Sequence, residues 1–216
     1  CQEVNGIIYA YMGPGEPPLM PAFDWLDAPD EHLFVFKGLV ENNWLQSLEG
    51  EIDPSHLSFL HRYFQDDLSE EEYTGELTNP ADGTEIPITR ILREQYNPTL
   101  ELEHTDYGLR IYALRDISPE KKHTRISNFI FPNGAFTAIG KGWDFAMWHV
   151  PIDDEHNWRY EIFCNYGEHE SDLSAREALR AQRLESYAVP SYQAKRNRAN
   201  GYGYDPEEQK QHTYVG

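Results

Sequence analysis

From residue 86 to 166 the chain offers one strand-length segment after another, with no helix-length segment between them. The candidates are 86–93, 99–104, 109–115, 124–131, 135–140, 144–150 and 158–165. Parallel strands need crossover connections of about a dozen residues or more, and the gaps here are shorter. The spacing therefore predicts an antiparallel sheet. Asp82-Gly83 and Asn133-Gly134 are dipeptides that favour tight hairpin turns. In 158–164 the alternation is clean, with Trp158, Tyr160, Ile162 and Cys164 on one face and Arg159, Glu161 and Phe163 on the other.

The flanks differ. Residues 1–12 read as a strand with an Asn5-Gly6 turn at its start. Residues 13–30 carry Pro14, Pro17, Pro18, Pro21 and Pro29, a density that predicts a surface loop. Residues 33–36 suit a short buried strand. Residues 39–64 are the main helical candidate, because Leu45, Leu48 and Ile52 recur at helical spacing. Asp53-Pro54 interrupts that pattern and predicts a restart, Asp capping and Pro first in the helix. Residues 174–187 return to helix behind a Ser174/Glu177 capping box. The expected architecture over residues 1–216 is one α+β domain, a curved antiparallel sheet with covering helices on one side.

Composition narrows the function classes. At 216 residues the chain can bury a substantial core. Eighteen Lys and Arg against 37 Asp and Glu leave a net charge of −19. Such a surface repels phosphate backbones, so neither nucleic acid nor an anionic membrane is an expected partner. No apolar run approaches the ~20 residues that span a bilayer. Two cysteines, Cys1 and Cys164, make no disulfide framework, and a reducing, cytoplasmic location is expected. The sequence has no P-loop, GxGxxG, GxSxG, HExxH or CxxC pattern. Cys1 in place of Met, and an end at Tyr214-Val215-Gly216, suggest a piece cut from something longer.

The segment with chemistry runs from Asn43 to His61. It carries a carboxylate at Asp53, an imidazole three residues on at His56, and a second at His61. Imidazoles suit Fe(II), and two His with one carboxylate leave open positions for O2 and substrate. Asp53 and His56 would share a face of a helix. His56 and His61 would stand about 140° apart on a regular one. One metal could take both only if the helix bends, bulges or unwinds between them. With nine histidines in the chain, a chance spacing of this kind, with the rings in solvent or core, stays open.

The wider segment resembles the catalytic domain of Rieske non-heme iron oxygenase α-subunits of the phthalate dioxygenase type. The family pattern of Asp, two residues, His, four residues, His is present as Asp53, His56 and His61. Asn43-Trp44-x-Gln46-x-x-Glu49-Gly50 resembles the helix before it. Gly13-Pro14 with Pro17-Pro18, Asn128-Phe129-Ile130-Phe131-Pro132-Asn133, and 148–156 (Trp-His-Val-Pro-Ile-Asp-Asp-Glu-His) are similar as well. The resemblance implies that His56 and His61 hold a mononuclear Fe(II). It implies that Asp53 is a bridge carrying electrons from a Rieske [2Fe–2S] cluster of a neighbouring subunit. A plain helix cap is the other reading of Asp53. The cluster's two Cys and two His have no counterpart here, and the family's third iron ligand, a C-terminal Asp, is expected beyond Gly216.

By the same resemblance the chain is part of a terminal oxygenase. It would hydroxylate an aromatic carboxylic acid with O2 and electrons from NAD(P)H, delivered by a reductase or ferredoxin, within a trimer or stacked trimers. O-demethylation of a methoxy-aromatic acid is the nearest alternative. A non-catalytic domain that binds an aromatic ligand is the rival from another class, distinguished by unchanged affinity in His56→Ala. An acid substrate wants an inward arginine, since a guanidinium fork takes a carboxylate in two bonds. Arg90, Arg93, Arg110 and Arg125 fall on expected strands. Arg110 and Arg125 have the most apolar neighbours, and an outward, solvated position is the other reading of each. Phe129, Phe131 and Trp148 could line a pocket for the ring or simply pack the core. His149 reads as a satisfied sheet histidine, His156 as locally hydrogen-bonded, and His104, His123, His169 and His212 as surface residues.

Overall fold

The computed structural model describes residues 1–29, 32–60, 86–140, 143–165 and 173–209. A nine-stranded sheet dominates it, in the order β10-β11-β3-β9-β8-β7-β6-β5-β4. The strands are β3 (Leu33–Val40), β4 (Thr99–Thr105), β5 (Gly108–Ser118), β6 (Lys121–Ile130), β7 (Gly134–Gly140), β8 (Trp143–Pro151), β9 (Asn157–Asn165), β10 (Tyr187–Ala188) and β11 (Gln193–Ala194). Every pairing is antiparallel except β11 on β3. The expected α+β architecture, a large antiparallel sheet with few helices, is the one observed.

The helices are α1 (Trp44–Ile52), α2 (Leu57–Leu60), α3 (Ile88–Glu94), α4 (Leu173–Ser186) and α5 (Pro206–Gln209). Cross-strand register tells which face each residue takes, because directly opposed residues share a face. One face carries Phe36, Glu161, Met147 and Ala135 in a row. The helices cover it: Arg183 of α4 bonds Glu161, and Asn42 and Ser47 at the start of α1 bond Asn157. The other face carries Lys37, Tyr160, Trp148 and Gly134. There Trp25 packs with Leu33, Ile130, Ala146, Ile162 and Cys164, and Ile7, Phe23, Leu26 and Phe136 close around them.

Four expectations need correction. Residues 86–93 are not a strand. Pro87 precedes helix α3, whose Ile91 and Leu92 are buried while Arg90 and Glu94 pair one turn apart. The β-branched Ile88, Thr89 and Ile91 favour strand locally, but packing of one apolar face decides. Residues 1–12 are a hairpin, β1 (Gln2–Val4) and β2 (Ile7–Tyr9), and Asn5-Gly6 is the turn between them. Asn5 at φ 53° and Gly6 at φ 79° supply the paired positive φ of that turn. The strand expected at 33–36 runs on to Val40, and α1 starts only at Trp44 behind its cap, Asn43, whose Oδ1 accepts from Leu45 N–H at 3.0 Å. Finally, Ser174 lies inside α4 and is not its cap. Asp82-Gly83, His61, His169 and His212 lie outside the described residues.

Candidate metal and substrate site

Helix α1 ends at Ile52 and α2 begins at Leu57, so Asp53 and His56 sit in the turn between two helices. They do not share a helix face as expected. Asp53 is the C-cap of α1, its N–H donating to the Glu49 carbonyl at 3.1 Å. Its exposed carboxylate accepts from Ser55 N–H at 2.8 Å and His56 N–H at 3.2 Å. The expected N-cap with Pro54 opening the second helix is not what forms: α2 starts only at Leu57, and the Asp53 carboxylate instead holds the turn that precedes it. His56 Nδ1 bonds the Asp53 carbonyl oxygen. A carbonyl only accepts, so Nδ1 carries the proton and the ring's acceptor lone pair is on Nε2. The helix break falls at 53–56. Its expected continuation to His61 leaves the described residues.

Beneath this turn lies a residue the sequence reading passed over. Arg115 on β5 is only 1% exposed. It donates from Nε to the Gln95 carbonyl at 3.0 Å, and from Nη2 to the Pro54 carbonyl at 3.0 Å and Ser58 Oγ at 3.4 Å. Burial, with the charge of Arg125 second, pulls its pKa down to about 10. A signal was available: Arg115 has the parity of buried Ile111 and Ala113. Arg125 stands opposite Ala113, hence on the same covered face. Burial lowers its pKa.

The other arginines go elsewhere. Arg110 is opposite Asn128 and Glu103, on the reverse face of the sheet. It is taken up by Glu103 at 3.2 Å, Tyr107 at 3.0 Å and Asn128 at 3.3 Å. Arg90 and Arg93 ride on α3. The aromatic trio also divides. Phe129 is half-buried on the covered face, Phe131 is exposed, and Trp148 packs edge-on to Trp25 on the reverse face.

Further along the covered face lies an ionic cluster. Glu161 is almost fully buried and takes Arg159 at 2.7 Å and Arg183 at 2.6 Å. Glu51 of α1 approaches it. Burial raises Glu51 to about 7, against the pull of Arg159 and with the push of Glu161. His149 is 0% exposed, and neither ring nitrogen has a hydrogen-bond partner among the described residues. The expected satisfied histidine is therefore a buried one, with the Asn157 side chain as the polar group acting on it. Burial first, then the Arg159 charge, lowers it to about 4, partly opposed by Asn157. His156 makes its expected local bond, 2.9 Å to Asp153, and His123 is half-buried, not a surface residue.

Residues 10–216 match the family described as LigXa C-terminal domain like. The chain belongs to that family. Its curated relatives include the phthalate 4,5-dioxygenase oxygenase subunit of Pseudomonas putida, 28% identical over 222 residues, which cover 100% of this chain and 48% of that one. The 3-chlorobenzoate-3,4-dioxygenase oxygenase subunit of Comamonas testosteroni is 30% identical over 168 residues, 74% of this chain and 34% of that one. A carbazole 1,9a-dioxygenase oxygenase, solved in complex with ferredoxin, shares the fold at a TM-score of 0.50 and 17% identity. That likeness covers 88% of this chain and 52% of the solved one. The LigXa C-terminal domain-like chain thus spans at most about half the length of these relatives. The resemblance to the Rieske oxygenase catalytic domain is borne out.

That membership implies iron. Among the described residues no three His, Cys, Asp or Glu side chains gather to hold a metal. His56 nevertheless fits the role, because the bond to Asp53 fixes the tautomer with its lone pair on Nε2. Cys164 is buried in the apolar core and Cys1 is exposed at the chain start. Neither suits a [2Fe–2S] cluster, which needs Cys and His side chains gathered together. Among the described residues, no helix is long and apolar enough to cross a membrane.

Proposed function

We propose that this chain is the mononuclear-iron domain of a terminal oxygenase that hydroxylates an aromatic carboxylic acid, as its phthalate and chlorobenzoate relatives' names suggest for them. The observation that carries the reading is one of placement. The Asp53–His56 turn is pinned through Arg115 onto the same sheet face that carries Arg125, a guanidinium whose pKa burial lowers. His56 and His61 would hold Fe(II) through ring nitrogens, and bound iron would supply the reductive activation of O2. Arg125 would take the substrate carboxylate, and Phe129, on the same face, would meet the ring. Asp53, exposed at the surface, would bridge to a Rieske cluster in the adjacent subunit of a trimeric assembly. Electrons would come from NAD(P)H through a reductase or ferredoxin, in the cytoplasm. Arg110, on the reverse face, drops out of the substrate role.

O-demethylation is the second reading. It is favoured by a relative from Sphingobium, a 5,5'-dehydrodivanillate O-demethylase oxygenase subunit, 25% identical over 156 residues. The test uses full-length protein, phthalate and a methoxybenzoate as probes, and product analysis. Arg125→Gln is expected to raise KM by roughly 10–100-fold with kcat little changed, the loss of one charged hydrogen-bonding contact. Arg110→Gln should leave KM alone. His56→Ala should lose iron and turnover, whereas Asp53→Asn should keep iron and lose turnover. Full turnover in Asp53→Asn would remove the bridge, and saturable binding unaltered by His56→Ala, without turnover in the wild type, would favour a binding domain.

A further inference from the structure

Arg115 is buried without a carboxylate partner among the described residues, which is costly unless other acceptors replace water. Two acceptors lie at or just past helix ends. Gln95 is the C-cap of α3, and Pro54 follows the C-cap of α1. The Gln95 carbonyl at the end of α3 carries partial negative charge, and the Pro54 carbonyl lies in the turn just past α1, so one cation ties a helix end to that turn. The guanidinium fork makes this possible: Nε reaches Gln95 while Nη2 reaches Pro54 and Ser58. Ser58 is itself 1% exposed, and Nη1 has no partner among the described residues. β5 is paired with β6 over nearly its whole length and with β4 as far as Leu114, the residue before Arg115. It is a fixed base for the fork.

We propose that Arg115 is a positioning residue for the metal site: it locks the Pro54 carbonyl, and with it the turn that aims His56, to the sheet. The inference rests on the proposed role of His56. Without the fork, the turn would keep its Asp53 cap but lose its attachment below. His56 would then sample several directions, and the metal would be held by a less defined ligand set. Lysine offers a single ammonium where the fork spans two chain segments, so it can replace only part of the clamp.

The experiment is done on full-length, iron-loaded protein with Arg115→Met, Arg115→Lys, Trp25→Ala and His56→Ala. Two readouts are independent of turnover: the rate at which a chelator removes Fe(II), and the EPR spectrum of the ferrous site with nitric oxide added as probe. Arg115→Met is expected to lose iron at least tenfold faster and to give a broadened spectrum, with Arg115→Lys between it and the wild type. Trp25→Ala, which weakens the fold from the opposite face, is expected to match the wild type in both. If Arg115→Met and Trp25→Ala behave alike, Arg115 is only part of the core and the proposal falls. Should Arg115→Met not fold, Arg115→Lys against Trp25→Ala decides in the same way. If His56→Ala holds iron as the wild type does, the reading of His56 falls and this inference with it. Altered iron release in the Arg115 variants alone, with His56→Ala iron-free, sustains both.

Discussion

The two faces of the sheet solve the same burial problem differently. Both pack rings, Phe145 stacking on Phe163 at 4.4 Å on the helix-covered face, but the covered face buries charged and polar groups as well. The reverse face is closed by rings. Trp25 stacks on Phe23 at 4.5 Å and on Phe136 at 5.6 Å, and meets Trp148 edge-on at 5.6 Å. The helix-covered face also buries Arg115, Glu161, His149 and Asn157, with Glu51, Arg125 and Arg159 around them. Apolar packing is cheap and indifferent to direction. Buried charges cost desolvation, and replacing them by apolar residues of similar volume is often neutral or stabilising. A face that carries them is built for something other than stability. The difference teaches where to look for function: the charged face is the one that carries the proposed site.

The comparison can be broken from either side. On the aromatic face, Trp25→Ala removes the ring at the centre of the cluster and should cost about 4–5 kcal/mol, the upper range for an aromatic core truncation. Thermal unfolding of the domain reads this, and a loss below about 1 kcal/mol would mean the N-terminal segment is not part of the core. On the charged face, Glu161→Ala leaves Arg159 and Arg183 without their shared carboxylate and should cost about 3–4 kcal/mol. The triple change Glu161→Leu, Arg159→Met, Arg183→Met should regain most of that loss. If it does not, the ionic cluster contributes to stability after all and the contrast between the faces weakens.

Acid–base behaviour sharpens the contrast. Glu51 is raised to about 7 from an ordinary 4.5, so the native state binds the extra proton between those values. Its contribution to stability is full below about pH 4.5 and is lost as pH rises through 7. Glu51→Gln should therefore be about 1–2 kcal/mol more stable than the wild type at pH 8 and no different in acid. His149, lowered to about 4 from 6.5, acts in the other direction. Its contribution is present above pH 6.5 and lost as pH falls to 4, so His149→Phe should flatten the acid limb of a Tm-against-pH curve. Trp25→Ala should shift that curve down without changing its shape. The smallest effect belongs to Arg110→Gln, a half-exposed residue on the reverse face, whose Tm should stay within error.

Much of this was legible beforehand where the period was strict. Strands β4 to β9 followed from alternation, short gaps and Asn133-Gly134, because a half-buried strand leaves a period of two that few other structures produce. The motif at Asp53, His56 and His61 pointed to the turn that carries the candidate site, with His61 outside the described residues. Less legible was anything decided by packing at a distance. Ile88, Thr89 and Ile91 look like strand, and only their seat against the rest of the fold makes them helix. Arg115 ends the expected strand 109–115, and its residue type alone points to solvent. Only its parity with Ile111 and Ala113 says otherwise, and that parity means burial only once the helices are known to lie over that side. The division of Arg110 from Arg125 has the same origin, since Arg110 pairs with Asn128 and Arg125 with Ala113, an odd offset that puts them on opposite faces.

Asp53 has a consequence for how such a chain can change over generations. Its carboxylate receives two backbone N–H groups of the turn, and its own carbonyl fixes the neighbouring imidazole. Asparagine would preserve the cap and discard the charge, glutamate would preserve the charge on a stem too long for the cap, and alanine would discard both. No single substitution leaves both duties intact. If both matter, the position is an island in the space of sequences, reachable by descent but with no neutral step leading away from it.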